Sequence, residues 1–112
     1  MPDPATVPEV TVDELAEHLR SGGALLDVRN PDEWLEQRVP GVPLIPLAEL
    51  PERVGEVPRP ADGAPLLVIC RSGVRSAKAV AFLRAEGVDA ANVAGGTLAW
   101  VEAGHPVDSG PG

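Results

Sequence analysis

The sequence predicts a single α/β domain built on a central five-stranded parallel sheet with helices on both faces. Short β-branched runs alternate with helical segments along the chain, which is the pattern of a parallel sheet. Residues 66–70, Leu-Leu-Val-Ile-Cys, form the most apolar run and are typical of a central strand buried on both faces. A chain of 112 residues, 44% of them hydrophobic, is long enough for one core and too short for two. We therefore place the domain at residues 6–107, between an N-terminal tail at 1–5 and a C-terminal tail at 108–112.

The first half of the chain carries helix start and stop signals between short strands. Thr11 and Glu14 form a capping box, and Gly22 ends the helix that they begin. Asn30 and Pro31 repeat the start signal, because proline suits the first position of a helix. The predicted elements are a strand at 6–10, a helix from 11 to the glycines at 22–23, a strand at 24–28, a short helix from 31 that ends before 40, a very short strand at 44–45 and a mostly helical segment at 47–54.

The second half begins with a proline-rich connector at 58–65, followed by the buried strand at 66–70. A helix is predicted from about residue 74 or 76 to residue 86, because apolar positions recur there at helical spacing and Gly87 follows. A last strand is predicted at 92–93. Gly95 and Gly96 then turn into a helix that runs through residues 100–103.

Composition excludes several classes of function. The formal net charge of −8 argues against nucleic acid and anionic membrane surfaces as partners. The single cysteine excludes an internal disulfide, and we expect neither a metal site nor a cofactor. The sequence shows no membrane-length apolar run and no secretory signal, so we expect a cytoplasmic location.

One stretch of this acidic chain is basic and surrounds its only cysteine. No acidic residue occurs between residues 63 and 85, and four basic side chains lie there: Arg71, Arg75, Lys78 and Arg84. An ordinary basic helix face would give the same count. The alternative is a site for an anion.

Cys70 ends the strongest predicted strand, and a helix begins a few residues later. Ligands of parallel sheets bind at this edge, where loops lead into helix N-termini. The turn at Gly73 can direct backbone N–H groups inward as an anion-binding nest, and Arg75 can add a forked contact to an oxyanion. Such surroundings favour a thiolate, which could attack the outer sulfur of a sulfur-bearing anion or the phosphorus of a phosphoryl group. The alternative is that Cys70 is a small buried apolar residue that finishes a core strand.

Four segments, in the right order and at plausible spacing, resemble the rhodanese family, and the likeness covers about residues 7–107. They are Leu26-Asp27-Val28-Arg29 followed by Glu33-Trp34, Pro40-Gly41 with Ile45-Pro46-Leu47, Cys70-Arg71-Ser72-Gly73-Val74-Arg75-Ser76, and Asn92-Val93-Ala94-Gly95-Gly96-Thr97-Leu98-Ala99-Trp100 with Ala103-Gly104-His105-Pro106-Val107.

The resemblance implies a small fold with five parallel strands and a two-step sulfur transfer. Cys70 takes the outer sulfur of a donor such as thiosulfate and becomes a persulfide, and cyanide, a thiol or a partner protein then removes that sulfur. The family's active-site loop maps onto Cys70, Arg71, Ser72, Gly73, Val74 and Arg75, and its arginine that assists anionic donors maps onto Arg75.

Supporting positions are also implied by the resemblance: Asp27, Arg29, Glu33 and Ser76. We expect a contact between Arg29 and Glu33 that holds the loop after the second strand, and the alternative role of Asp27 is a general base. The chain departs from the family at Gln37 and Arg38, where many members have glycine and histidine. Arg38 is expected to be a solvated residue at a helix end, or else to line the entrance of the site.

Two alternative functions remain open. A persulfide carrier for a partner protein would need the same reactive Cys70. A phosphatase or arsenate reductase is the other, but related phosphatase loops have five residues between cysteine and arginine, whereas four residues, 71–74, lie between Cys70 and Arg75. The shorter loop fits a sulfane sulfur better than a bulkier phosphate. The physiological donor, the acceptor and the oligomeric state are not readable from the sequence.

Overall fold

Four parallel strands form one sheet in the order β1-β4-β3-β2 in this computed structural model, which describes residues 6–60 and 63–111. The tail predicted at 1–5 lies outside the described residues, as do residues 61 and 62 of the predicted connector and Gly112. The helices and strands are β1 (Glu9–Val10), α1 (Val12–Arg20), β2 (Leu25–Asp27), α2 (Pro31–Glu36), β3 (Leu66–Ile69), α3 (Val74–Ala85), β4 (Ala90–Val93) and α4 (Gly96–Glu102).

The prediction of five strands is wrong, because the segment at 44–45 makes only a single bridge, between Leu44 and Asp27. Asp27 N–H donates to the Pro43 carbonyl at 3.0 Å, and Ile45 N–H donates to the Asp27 carbonyl at 3.0 Å. Pro43 and Pro46 flank this segment, and proline has no N–H with which to extend a ladder. The pairing therefore stops after one bridge.

The segment predicted to be mostly helical at 47–54 is also different. It forms two 3₁₀ helices, Leu47–Glu52 and Val54–Glu56. Pro51 lies inside the first of them. A proline there removes a backbone donor and crowds the preceding turn, which favours short 3₁₀ pieces over a continuous α-helix.

The central strand β3 is buried on both faces, as its apolar run predicts. Leu66 and Val68 pack in a core with α3 and the 3₁₀ helices, whereas Leu67 and Ile69 pack in a second core with α1 and α4. The alternation follows from the two-residue period of a strand. Helices thus cover both faces, and Cys70 continues on the α3 side.

The predicted helix starts are confirmed at both sites. In α1, Thr11 Oγ1 accepts the N–H of Glu14 at 3.1 Å, and Thr11 N–H donates to the Glu14 carboxylate at 2.8 Å. In α2, Pro31 occupies the first turn, and Asn30 N–H donates to Glu33 Oε1 at 3.1 Å. This bond fixes the Glu33 side chain at the start of α2.

Residues 108–110 are attached to the domain, although the sequence predicts a loose tail from residue 108. Asp108 forms an antiparallel bridge with Arg38, and Gly110 N–H donates to the Leu35 carbonyl at 2.7 Å. Arg38 is buried, stacks on Trp34 and donates to the Gly110 carbonyl at 2.8 Å. It is therefore neither solvated nor at the entrance of a site. Within residues 6–60 and 63–111, no helix is long and apolar enough to cross a membrane.

Candidate functional site

Cys70 directly follows β3, and its sulfur is surrounded by hydrogen-bond donors. The side chain is only 1% exposed. Gly73 N–H donates to Cys70 Sγ at 3.0 Å, and the Ser76 hydroxyl lies 3.2 Å from the same sulfur. Gly73 makes this turn possible because its φ is +101°. Glycine adopts this left-handed region readily, whereas residues with a Cβ atom rarely do. The loop predicted as a nest therefore closes around the sulfur, and α3 begins at the next residue, Val74.

The surroundings of the sulfur favour the thiolate. Burial raises the pKa of the Cys70 thiol, but hydrogen bonds from the Ser76 hydroxyl and from the N–H groups of Ser76, Gly73 and Ser72 outweigh it and hold the pKa below its ordinary value. All of these donors are neutral. The stabilisation of the anion therefore comes from oriented dipoles.

The N-terminus of α4 holds the main chain of the active loop from the other side. Thr97 donates to the Cys70 carbonyl through both its N–H at 2.8 Å and its hydroxyl at 3.0 Å, and Leu98 N–H donates to the Arg71 carbonyl at 3.1 Å. A Cβ added at Gly96 would lie 2.3 Å from the Cys70 carbonyl oxygen, so only glycine fits. Thr97 was not among the predicted site residues, although the glycine pair before it is a sequence signal of close backbone approach.

Asn92 is a second residue whose role the sequence did not indicate. It lies in β4, is 1% exposed, and contacts Ser76 through its Oδ1 atom. Its Nδ2 atom donates to the Gly73 carbonyl and to the Glu9 carboxylate, each at 3.0 Å. The sequence signal was a polar residue within an otherwise apolar buried strand, because buried polar side chains nearly always have hydrogen-bond partners.

Arg75 forms a two-pronged ion pair with Glu33 of α2. Its Nη1 and Nη2 atoms lie 2.7 and 2.8 Å from the two carboxylate oxygens. The Arg75 hydrogen bonds, with help from Asn30 N–H and against the effect of burial, lower the pKa of Glu33 from 4.5 to about 2. The same contact raises the pKa of Arg75. The pair ties the end of the active loop to α2.

The predicted contact between Arg29 and Glu33 is reduced to a long bond, 3.4 Å, to the Glu33 carbonyl. The ion-pair partner of Arg29 is Asp27, whose carboxylate accepts from Nε and Nη2 at 2.7–3.0 Å. Both side chains are nearly fully buried, and Arg29 also donates to the Gln37 carbonyl at 2.8 Å. The pair braces the end of β2 against the end of α2, while the Glu33 carboxylate is left for Arg75.

Arg71 and Val74 face outward from the loop. Val74 is 63% exposed. Arg71 is exposed, and its guanidinium has no ion-pair partner among the described residues. It lines a hollow of about 130 Å³ together with residues of α2 and α4 that include Glu33, Thr97 and Leu98. In the part of the chain that the structure describes, no group of three His, Cys, Asp or Glu side chains could hold a metal ion.

The predicted site residues therefore fall into three groups. Cys70, Ser72, Gly73 and Ser76 meet at the sulfur. The pairs Arg75–Glu33 and Arg29–Asp27 brace the loop and the strand end next to it. Arg71 and Val74 form the outer rim. This arrangement can hold a nucleophilic sulfur as an anion without a metal or a neighbouring base.

Comparison with known proteins identifies relatives over most of the chain. The sequence model of the family described as Rhodanese-like domain matches residues 11–103. A sulfurtransferase of Allochromatium vinosum is 34% identical over 74% of this chain and 76% of its own length. Thiosulfate sulfurtransferase 18 of Arabidopsis thaliana is 33% identical over 92% of this chain and 85% of its own. A Bacillus subtilis relative, 31% identical over 74% of this chain and 44% of its own length, is named for a sulfur-carrier role.

A solved structure gives the same result for the fold. The crystal structure of a rhodanese-related protein from Thermoplasma volcanium superimposes with a TM-score of 0.81 at 34% sequence identity. The match covers 90% of this chain and 97% of that protein.

Proposed function

The chain belongs to the rhodanese-like domain family, and from this premise we propose that it is a sulfurtransferase that works through a persulfide of Cys70. It moves a sulfane sulfur from thiosulfate or a related donor to cyanide, a thiol or a protein acceptor. The observation that carries the proposal is the position of Cys70 Sγ, 3.0 Å from Gly73 N–H and 3.2 Å from the Ser76 hydroxyl at the end of β3. Hydrogen bonds to the sulfur lower the pKa of Cys70 and so favour the thiolate, which is the nucleophilic form of cysteine.

The reaction needs two displacements at sulfur and no external oxidant. The Cys70 thiolate attacks the outer sulfur of thiosulfate, the sulfur–sulfur bond of the donor breaks, and sulfite leaves with the bonding electron pair. The outer sulfur is now part of a Cys70 persulfide. Cyanide or a thiolate then attacks that sulfur, the persulfide bond breaks, and Cys70 leaves as the thiolate. The products are thiocyanate or the persulfide of the acceptor.

The loop dipoles serve both forms of the sulfur. The N–H groups of Ser72, Gly73 and Ser76 lower the pKa of Cys70, and their dipoles would also favour the negative charge of a persulfide. Arg71 has no ion-pair partner within residues 6–60 and 63–111, so its charge at the rim favours an anionic donor. Arg75 assists the same donor as part of its pair with Glu33, which is the role that the family's loop arginine implies.

Intact-protein mass spectrometry tests this proposal. The reduced protein is measured before and after incubation with thiosulfate, and again after cyanide. We expect a gain of one sulfur atom that cyanide removes, and no gain in Cys70→Ser or in protein alkylated beforehand. A gain of sulfur in a folded Cys70→Ser variant would refute the mechanism. No loading from thiosulfate, from glutathione persulfide or from a protein persulfide would refute the function itself.

A persulfide carrier is the second candidate function. The 1% exposure of Cys70 favours it, because a buried persulfide is protected from reaction with free thiols in solution. Steady-state kinetics separate the two functions. Saturable turnover with a small donor and a small acceptor supports the enzyme, whereas stable loading without turnover supports the carrier. The cytoplasmic location stays a prediction.

A phosphatase has less support. The loop holds four residues between Cys70 and Arg75, and both guanidinium nitrogens that would bind a phosphoryl group contact Glu33 instead. Hydrolysis of an aryl phosphate that depends on Cys70 would contradict this ranking.

A further inference from the structure

A buried chain of polar groups connects the surface of β1 to the sulfur of Cys70. Glu9 is exposed, whereas Asn92 and Ser76 are at most 1% exposed. The contacts run from Glu9 Oε2 to Asn92 Nδ2 at 3.0 Å, from Asn92 Oδ1 to Ser76 Oγ, and from Ser76 Oγ to Cys70 Sγ at 3.2 Å. None of these contacts is required by the pairing of the strands. The sulfur-transfer chemistry proposed above does not use Asn92 or Glu9.

The orientation of the Asn92 amide is fixed by its neighbours. Its Nδ2 group faces two acceptors, the Glu9 carboxylate and the Gly73 carbonyl. The reversed amide would place its oxygen against both of them, which leaves three acceptors without a proton. Asn92 Oδ1 must therefore face the Ser76 hydroxyl.

The Ser76 hydroxyl then has two acceptors and one proton. It lies within hydrogen-bonding distance of both Asn92 Oδ1 and Cys70 Sγ, and a hydroxyl donates only one hydrogen bond at a time. When Cys70 is a thiol, all groups are satisfied, because the thiol donates to Ser76 and Ser76 donates to Asn92. When Cys70 is a thiolate, either the sulfur or the Asn92 oxygen loses its donor.

We propose that Asn92 is a positioning residue that competes with the Cys70 sulfur for the single proton of the Ser76 hydroxyl. The Asn92 acceptor thereby opposes the bare thiolate, while the N–H groups of the loop support it. A persulfide reduces the conflict, since its inner sulfur carries no net charge and therefore needs the Ser76 proton less than a thiolate does. The pair of Ser76 and Asn92 therefore favours the loaded state of Cys70 over the unloaded thiolate.

Other charges around Cys70 are accounted for separately. The pairs Asp27–Arg29 and Glu33–Arg75 are each neutral overall, so they contribute mainly dipoles. The other charged groups on β1, α2, the loop, α3 and α4 are Glu9, Asp32, Glu36, Arg71, Lys78, Arg84 and Glu102. Only Glu9 connects to the sulfur through hydrogen bonds, because its carboxylate polarises the Asn92 amide.

The test is a double-mutant cycle read on the ionisation of Cys70. The chain has one cysteine, so the pH profile of alkylation by iodoacetamide and the ultraviolet absorbance of the thiolate report on Cys70 alone. The variants are Asn92→Leu, Ser76→Ala and the combination of both. This inference rests on the proposed function, but its readout is the ionisation of Cys70 and uses no sulfur donor. A negative result here can therefore be told apart from a failure of the proposed sulfur transfer.

Competition predicts that Asn92→Leu changes the ionisation of Cys70 differently in the two backgrounds. Asn92→Leu frees the Ser76 proton for the sulfur and lowers the midpoint of the profile by about half to one pH unit, the worth of one hydrogen bond. In the Ser76→Ala background no decrease is expected from Asn92→Leu. A role of Asn92 limited to holding Gly73 predicts the same shift in both backgrounds, and that result would overturn the proposal.

A second mutant cycle is used if circular dichroism shows that Asn92→Leu does not fold. Glu9 is exposed, so Glu9→Gln keeps the fold and removes the charge that polarises the amide. We expect Glu9→Gln to lower the midpoint more in the protein with Ser76 than in the Ser76→Ala background. Equal shifts would mean a simple effect of charge at a distance and would refute the competition.

Discussion

Glu33→Gln is expected to destabilise the protein in a pH-dependent way, because the Glu33 carboxylate pairs with Arg75 through two hydrogen bonds of 2.7 and 2.8 Å. The glutamine is the same size and keeps one acceptor, so the change removes the charge and little else. The pair joins α2 to the active loop, two elements that are 42 residues apart. Losing it removes a contact between the loop and the rest of the fold.

The magnitude follows from the pKa of Glu33. A fall in this pKa from 4.5 to about 2 corresponds to about 3 kcal/mol at 1.36 kcal/mol per pH unit. Solvent screens part of this, since the Glu33 and Arg75 side chains are 22% and 33% exposed, and we expect about 1–2 kcal/mol. Because the folded-state pKa is depressed, the stabilisation is complete above pH 4.5 and is lost as the pH falls toward 2.

Urea unfolding at several pH values measures the effect. The difference in unfolding free energy between the native protein and Glu33→Gln should be largest near neutral pH and shrink below pH 4.5. Glu36→Gln is the matched control, since Glu36 is exposed on the same helix. A difference that stays constant with pH, or an equal dependence in Glu36→Gln, would refute the role of the ion pair.

Three further predictions concern the brace, the α4 turn and the rim. Arg29→Ala leaves the buried Asp27 carboxylate unpaired, so urea unfolding should show a decrease of about 3–5 kcal/mol in the free energy of unfolding. A decrease below about 1 kcal/mol would contradict the stabilising role of the Arg29–Asp27 pair. Gly96→Ala places a Cβ 2.3 Å from a loop carbonyl, so thermal unfolding and sulfur transfer should suffer far more than in Gly104→Ala, where φ is +81° but the space is open. Arg71→Ala and Arg75→Ala should each raise the apparent KM for thiosulfate about tenfold more than for an uncharged donor, and equal changes for both donors exclude a charge-assisted contact.

The parts of the fold that the sequence predicts well are those that local signals determine. The apolar run ending at Cys70 is β3, and the start signals at Thr11 and Asn30 begin α1 and α2. The fifth strand was wrong because its length depends on pairing with β2, and the prolines around Leu44 end that pairing after one bridge. A short apolar run in the sequence does not show how many backbone hydrogen bonds it will form with a neighbouring strand.

The conformation of the loop at residues 70–76 was predictable for the same reason, because these residues are contiguous and their turn is set by Gly73. The partners of the loop were not, since they are distant in the chain. Arg75 pairs with Glu33 across 42 residues, and Ser76 meets Asn92 across 16. The resemblance placed Glu33 near the site but assigned its contact to Arg29, which the Asp27 carboxylate already occupies.

In the proposed mechanism, different residues stabilise the Cys70 sulfur and attract the donor. A net cation in direct contact with Cys70 would hold the thiolate strongly, but it would also weaken the sulfur as a nucleophile, because nucleophilicity falls with pKa. Neutral dipoles from the loop lower the pKa without a full charge, and the arginine nearest the loop end has its charge balanced by Glu33. Arg71, which no described carboxylate neutralises, adds to the proposed attraction of Arg75 for an anionic donor, on a chain whose net charge of −8 repels anions. The effect of Arg71 is therefore local, acting within a screening length of about 8 Å at physiological salt, so in the proposed mechanism the rim selects the donor and the loop activates the Cys70 sulfur.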